Sequence, residues 1–300
     1  VAVIRRGRHS LLALGLASAV LLLSACGAGG SGAPTSDSAA PAAAKDDALA
    51  KLVPADIAAD GKIVVGSDAS YPPSEFVDTD GRTIIGLDAD LGKAIAQKLG
   101  LTAEFQNSQF DGILPGLNAG KYEWGMSSFF INPERLKSVD MVSYFNAGTK
   151  LGSLKGNPEN LNVDDLCGRN IGVQLGTAQV QELSERSAKC TTEGKPAINV
   201  TSLQQQTDVT LALTAHRISG MLADSAVVSY AETTTDGAVA TVGQQYGTTP
   251  YGIAIAKGKG DFGKAIQGAV QALIADGTYA TILKKWNLSD GALATSQWEK

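Results

Sequence analysis

A chain of 300 residues and 30.9 kDa can build two domains of ordinary size, and 44 % apolar against 18 % charged residues excludes wholesale disorder. The net charge of −5 and pI near 5.1 argue against nucleic acid as a partner, since phosphate binding needs a basic face. Three cysteines are too few for a disulfide scaffold or a four-cysteine zinc site.

In chain order, Arg5, Arg6 and Arg8 precede an apolar run from Leu11 to Leu23, too short to cross a bilayer and suited to a signal peptide over residues 1–25. The run ends in Leu23-Ser24-Ala25-Cys26, which resembles a bacterial lipobox and implies lipidation of Cys26 and an anchored, extracytoplasmic protein. Losing the three arginines of this segment would take the mature chain to −8, an acidic surface. Residues 26–54 begin with Gly, Ala, Ser and Pro and are expected to form a flexible tether. Gly27-Ala28-Gly29-Gly30-Ser31-Gly32 matches G-x-G-x-x-G, but no strand precedes it and no helix follows, so a dinucleotide site is rejected.

Strand and helix signals then alternate. Ile63-Val64-Val65 reads as a buried strand, and Leu91, Ile95 and Leu99 as a helix face with Asp88 as cap and Gly100 as stop. A strand through Ala103-Phe105, a short helix through Ile113, Leu114 and Leu117, and a strand from Trp124 follow. Asn132-Pro133-Glu134 is a helix start, with Asn as cap and Pro where its missing N–H is harmless. The rhythm restarts at Ile171-Val173, with Gly176-Thr177 opening a helix. It continues through a helix at Asp208–Ala215, a strand at Ile218–Leu222 and a helix behind Asp224. The clearest helix places Phe262, Ala265, Ile266, Ala269, Val270, Leu273 and Ile274 on one face, and a last one ends near Trp286. Two runs of β-α-β units imply α/β architecture in two similar lobes, each a mostly parallel sheet flanked by helices.

Val64-Val65-Gly66-Ser67-Asp68-Ala69-Ser70-Tyr71-Pro72-Pro73-Ser74-Glu75-Phe76 and Gly86-Leu87-Asp88-Ala89-Asp90-Leu91 resemble the bacterial extracellular solute-binding proteins of family 3, the polar amino-acid receptors of ABC importers. Phe110-Asp111-Gly112-Ile113-Leu114-Pro115, Pro133-Glu134-Arg135, Gly176-Thr177 and Asp276-Gly277-Thr278-Tyr279 continue the resemblance in order, from about residue 60 to 288. It implies a two-lobe periplasmic-binding fold of type II. Lobe 1 would comprise 55–148 plus 249–300, lobe 2 149–248, with crossover strands near Gly148–Leu151 and Pro250–Gly252 as hinge. The ligand, a polar amino acid, would lie between the lobes. It would pass to an ABC permease driven by its ATPase subunit, with no chemistry and no cofactor or metal in the binding protein, a monomer.

A zwitterion taken out of water needs a partner for each pole. The resemblance places the carboxylate on Arg135, whose planar fork can donate two parallel bonds; an arginine on a solvated helix face is the alternative. It places the ammonium on Asp224, which is also positioned to cap a helix. Thr177 is either a plain cap or turns its N–H to the carboxylate. Tyr71 and Phe110 match the aromatic positions that sandwich the ligand. Asp68 and Gln174 fall where relatives read a polar side chain, or else satisfy local backbone. Ser128 is expected to present its backbone at a strand end. Phe130 replaces a small hydroxyl residue of the family; it and Phe129 point opposite ways, one to the core and the other to the cleft. Leu87 and Ser74 stand where the family has phenylalanines, so the pocket shape and the ligand stay open.

Cys167 and Cys190 are expected to pair in an oxidising compartment. The alternative functions are a dehydratase-like enzyme on the same fold and a sensing module acting through a partner. Against catalysis, His216 stands at a helix end beside no nucleophile elbow, and no P-loop or H-E-x-x-H occurs.

Overall fold

Continuous apolar runs make buried parallel strands, and β1 (Lys62–Ser67) is the first, with Ile63 and Val65 fully buried. It pairs in parallel with β5 (Thr102–Asn107), Val65 opposite Phe105, and with β6 (Trp124–Gly125). The computed structural model describes residues 43–300, so the signal peptide, Cys26 and most of the tether lie outside the described residues. The tether expected to reach residue 54 ends sooner. Helices α1 (Asp47–Ala50), capped by Asp46, and α2 (Ala55–Ala58) are docked, with Val53 and Ile57 buried in the main core and Leu49 and Leu52 against it. Apolar residues at 49, 52, 53 and 57 recover enough burial to offset the ordering of this stretch.

Between β1 and β5, a three-stranded antiparallel patch forms from β2 (Ser70–Tyr71), β3 (Glu75–Val77) and β4 (Ile84–Ile85). Then α3 (Leu87–Lys98) buries Leu91, Ala94 and Ile95. Its cap is Gly86, at φ +128°, where an added Cβ would lie 2.2 Å from the Ser74 carbonyl oxygen, so only glycine fits. Asp88 is therefore not the cap: it lies inside the first turn, fully buried. Helices α4 (Phe110–Asn118) and α5 (Pro133–Leu136) flank β6, and Asn132 caps α5 by accepting the Arg135 N–H at 2.9 Å.

Two long strands, β7 (Val139–Leu154) and β11 (Val239–Ala256), run through the crossover positions expected near 148–151 and 250–252. They run antiparallel through the whole sheet, with register shifts on β11 between Val242 and Tyr246, Tyr246 and Thr249, and Tyr251 and Gly252. Bulges of this kind bend the strands where one half of the sheet meets the other. The second half carries β8 (Asn170–Gln174), β9 (Asn199–Leu203) and β10 (Gly220–Asp224), flanked by α6 (Ala178–Thr192), α7 (Gln206–Thr214) and α8 (Ser225–Thr234). The order β5-β1-β6-β11-β7-β10-β8-β9 makes one sheet, parallel in its outer parts and antiparallel along the two crossing strands, with β12 (Trp298–Glu299) on β7.

Returning to the first half, α9 (Phe262–Ala275) buries the predicted stripe except for the half-buried Ile274, with Phe262 stacking on Trp124 at 6.4 Å between centroids. The last helix, α10 (Thr278–Lys285), is tied to α3 through Asp90, which accepts from Lys285 at 2.8 Å and from the Trp286 indole at 2.9 Å. Cys167 and Cys190 are joined on the second half, their Cα atoms 5.6 Å apart.

Candidate functional site

Parallel strands of an α/β sheet aim their carboxyl ends at one crevice, and the predicted site residues sit at or just past such an end or on the helix that follows it, except Tyr71, which stands on β2 of the antiparallel patch. All are buried except Arg135, which is half-buried. On the first wall, Asp68 directly follows β1. One carboxylate oxygen accepts the Ser70 N–H (3.0 Å) and hydroxyl (2.6 Å), and the other accepts the Phe110 N–H (2.9 Å). Burial raises its pKa, and the bonds from Ser70 and Phe110 oppose the rise.

Phe110 opens α4 and stacks on Phe129 with centroids 4.7 Å apart. The Arg135 guanidinium lies over both rings, 5.5 Å and 5.1 Å from their centroids, and donates to the Phe130 carbonyl at 2.8 Å. An arginine on this two-ring shelf is oriented rather than solvated. Burial lowers its pKa to about 10, and the attraction of Asp224 opposes that fall.

Phe129 and Phe130 do point apart. The Phe130 ring, however, joins the main core against Tyr251, centroids 5.2 Å apart, so it contributes its carbonyl to Arg135 while its ring fills space beside the site. Ser128 also corrects its expectation. Its backbone is in the left-handed region, φ +53°, and its N–H turns into the wall, donating to Asp88 at 2.9 Å and to the Tyr144 oxygen at 3.2 Å.

On the second wall, Gln174 ends β8, and its amide donates to the Gln204 carbonyl (3.1 Å) while its own carbonyl oxygen is buried without a partner. Thr177 holds the cap position of α6 but turns its hydroxyl to the Gln174 carbonyl at 2.7 Å, and its N–H lies 3.4 Å from the same oxygen. Asp224 ends β10 at the cap position of α8, yet its side chain makes no capping bond. Instead it accepts from Gln179 (2.6 Å) on α6 and from the Tyr251 hydroxyl (2.7 Å) on β11. Burial pushes its pKa up to about 6, against the pull of Tyr251, Gln179, Tyr71 and Arg135. Gln179 and Tyr251 were missed by sequence reasoning, as were Ser70 and Ser127.

The walls meet. Gln174 donates to Asp68 at 3.0 Å, the Gln206 N–H to the Ser70 hydroxyl at 3.1 Å, the Asp224 N–H to the Tyr71 hydroxyl at 3.3 Å, and Arg135 to the Gly176 carbonyl at 3.4 Å. Tyr71 belongs to the first wall by sequence but packs with Met221, Ala223 and Val227 of the second. A recess of about 290 Å³ at the rim is lined by Asn132, Arg135, Gly176, Thr177 and Gln181. A larger groove of about 970 Å³ lies by the Cys167–Cys190 link, away from every one of these residues.

The model of the bacterial extracellular solute-binding proteins, family 3, matches residues 63–289. The chain belongs to this family. It is 32 % identical over 243 residues to the arginine-binding protein ArgT of Corynebacterium glutamicum, covering 81 % of this chain and 79 % of that one. An ancestral arginine-binding protein bound to arginine superposes with a TM-score of 0.70 at 34 % identity, over 75 % of this chain and 98 % of that structure. The ancestral amino acid-binding protein AncCDT-1, a precursor of cyclohexadienyl dehydratase, gives 0.70 at 31 % identity, over 79 % and 99 %. The fold is thus the two-lobe binding fold, and the protein is a substrate-binding component of the amino-acid ABC importer type, taking a polar amino acid between its lobes. Among the described residues no helix is long and apolar enough to cross a membrane.

Proposed function

We propose that the protein captures a cationic amino acid, arginine foremost, and presents it to its permease. The observation that carries this reading is the charge balance of the crevice. Arg135 faces the ligand carboxylate and Asp224 the ammonium, which leaves Asp68 as an additional buried acid. A neutral amino acid would leave that carboxylate without a counter-charge, whereas a guanidinium or ammonium side chain matches it. The partnerless Gln174 oxygen beside Asp68 offers a further acceptor for a guanidinium, which has five donors. Tyr71 and Phe110 supply flat surfaces for the aliphatic stem. The arginine-binding relative and the arginine-bound ancestral structure support the same choice.

In this reading 55–148 plus 249–300 move as one lobe and 149–248 as the other, bending at the bulged segments of β7 and β11. The cross-wall bonds favour the closed form, and ligand adds to them only what it gains on closure. Cys26 anchors a monomer to the outer face of the membrane, and the Cys167–Cys190 bridge forms in that compartment. The protein acts as a carrier rather than a catalyst, since the arginine-binding relative is named for binding; unchanged arginine after prolonged incubation, by mass spectrometry, is the expected result.

The test is a thermal-shift series with arginine, lysine, histidine and glutamine. At a hundredfold excess over Kd the ligand contributes about 2.7 kcal/mol, which raises Tm by about 5 °C for a chain of this size. Arginine is expected to give the largest shift. A shift with glutamine and none with the cationic amino acids would overturn the proposal.

A further inference from the structure

We propose that Glu75 is kept as a neutral carboxylic acid that donates its proton to Asp88, and that this bond positions the Ser127–Ser128 wall and, through it, Asp68. Glu75 on β3 and Asp88 on α3 are both fully buried and act on each other directly, and Ser128 bridges them, its hydroxyl donating to one Glu75 oxygen at 3.4 Å and its N–H to Asp88 at 2.9 Å. One Asp88 oxygen is saturated, accepting the Ser128 N–H at 2.9 Å and the Tyr144 hydroxyl at 2.7 Å. Its other oxygen is buried and takes no donor if both carboxyls are ionised. Two adjacent carboxylates cannot both stay charged out of water, and a proton on Glu75 satisfies the orphaned oxygen.

The surroundings assign the proton to Glu75. The charged groups that act on it are Asp88 and Asp68, both acidic, and Tyr71 and Tyr144 face it from β2 and β7. The remaining charges of α3 are engaged elsewhere: Asp90 with Lys285 and Trp286, Lys93 with the Ile84 carbonyl at 3.4 Å, and Lys98 with Asp276 at 2.7 Å. Two donors favour ionised Asp88, whose pKa rises only to about 6, while burial and Asp88 drive Glu75 well above the usual carboxylate range. Glu75 in turn accepts the Ser127 hydroxyl at 2.7 Å, and the Ser127 oxygen accepts the Asp68 N–H at 2.9 Å. An unbroken relay therefore runs from the backbone of Asp68 through Ser127, Glu75 and Asp88 to Ser128 and Tyr144. Glu75 is a positioning residue here, acting through its neighbours.

The experiment is urea unfolding of the ligand-free protein at several pH values, wild type against Glu75→Gln. An acid ionised in the unfolded chain near 4.5 and neutral in the native state makes the native form bind the extra proton. Its stabilisation is complete below that pH and is lost as pH rises. The wild-type unfolding constant should therefore climb relative to the variant's by about tenfold per pH unit between about 5 and 7. The amide can donate to Asp88 and accept from Ser127, so Glu75→Gln retains the relay without titrating, whereas Glu75→Ala breaks it and loses stability at every pH. Parallel pH profiles for wild type and Glu75→Gln would overturn the proposal. Infrared spectra at pH 8 give a check that needs no variant: a protonated carboxylic-acid band in the wild type is expected, and its absence refutes the assignment. Both readouts are ligand-free, so they stand or fall independently of the arginine reading.

Discussion

Replacing Asp68 by Asn tests the charge balance at its decisive residue. The carboxylate accepts four hydrogen bonds, two from Ser70, one from Phe110 and one across the cleft from Gln174. An amide has one accepting end. Turned toward Ser70 it keeps two bonds, and its NH₂ then meets the Phe110 N–H and the Gln174 amide, donor against donor. The substitution thus loses a bond within the first lobe and a bond between lobes, and both losses weaken the binding of any ligand. The charge itself is separate. Removing one partner of a buried, hydrogen-bonded ion pair costs about 2–5 kcal/mol, which is at least about 30-fold in Kd. Calorimetry with arginine and with citrulline, its uncharged isostere, divides the two effects. Arginine should lose at least about 30-fold more affinity than citrulline on Asp68→Asn. Equal losses would mean that Asp68 only holds the walls together, and the cationic-ligand reasoning would fail.

Gly176→Ala should weaken ligand binding about fivefold to a hundredfold, because the new Cβ would sit 2.9 Å from the Asp111 Cβ across the cleft and obstruct closure. Small-angle scattering with saturating arginine should then show a more open particle than the wild type. Asp224 must be ionised to hold an ammonium group and titrates at about 6, so Kd should rise by about tenfold per pH unit below that value and level off above it. Asp224→Asn should bind weakly and with a shallower dependence, that of Asp68 alone, as read by calorimetry from pH 4.5 to 8. Reducing the Cys167–Cys190 bridge reopens a loop with a sequence separation of 23 and should cost about 3 kcal/mol by the chain-entropy model. Because the bridge lies away from the cleft, arginine affinity should stay within about twofold at temperatures where the reduced protein is folded.

Elements with strong apolar periodicity were legible directly. Helix α9 carries its predicted stripe wholly buried from Phe262 to Leu273 and half-buried at Ile274, and β1 and β8 appear where short apolar runs placed them. Strands β2, β3 and β4 left no signal, since Ser-Tyr, Glu-Phe-Val and Ile-Ile are too short for alternation to register. The central part of β11, from Gly243 to Pro250, reads as loop because its Gly, Gln and Thr residues are largely exposed and the strand bulges there. At the site, residues that touch across the cleft were largely named in advance, because the family's motifs carry them. Those that support them were not. Tyr251 looks like ordinary core and Gln179 like a helix surface, yet both hold Asp224. Glu75 stood within a quoted motif without a role, since composition gives no reason to bury an acid. The position of Gln179 two residues past Thr177, on the helix that faces the crevice, was the one available clue.

In the proposed site Arg135 grips the ligand's carboxylate across from Asp224. Calorimetry with arginine and with agmatine, the same molecule without its carboxylate, on wild type and Arg135→Gln measures that grip. Wild type should bind arginine far more tightly than agmatine, and Arg135→Gln should bind the two nearly alike. A variant that keeps the full wild-type preference for arginine over agmatine would contradict this role for Arg135.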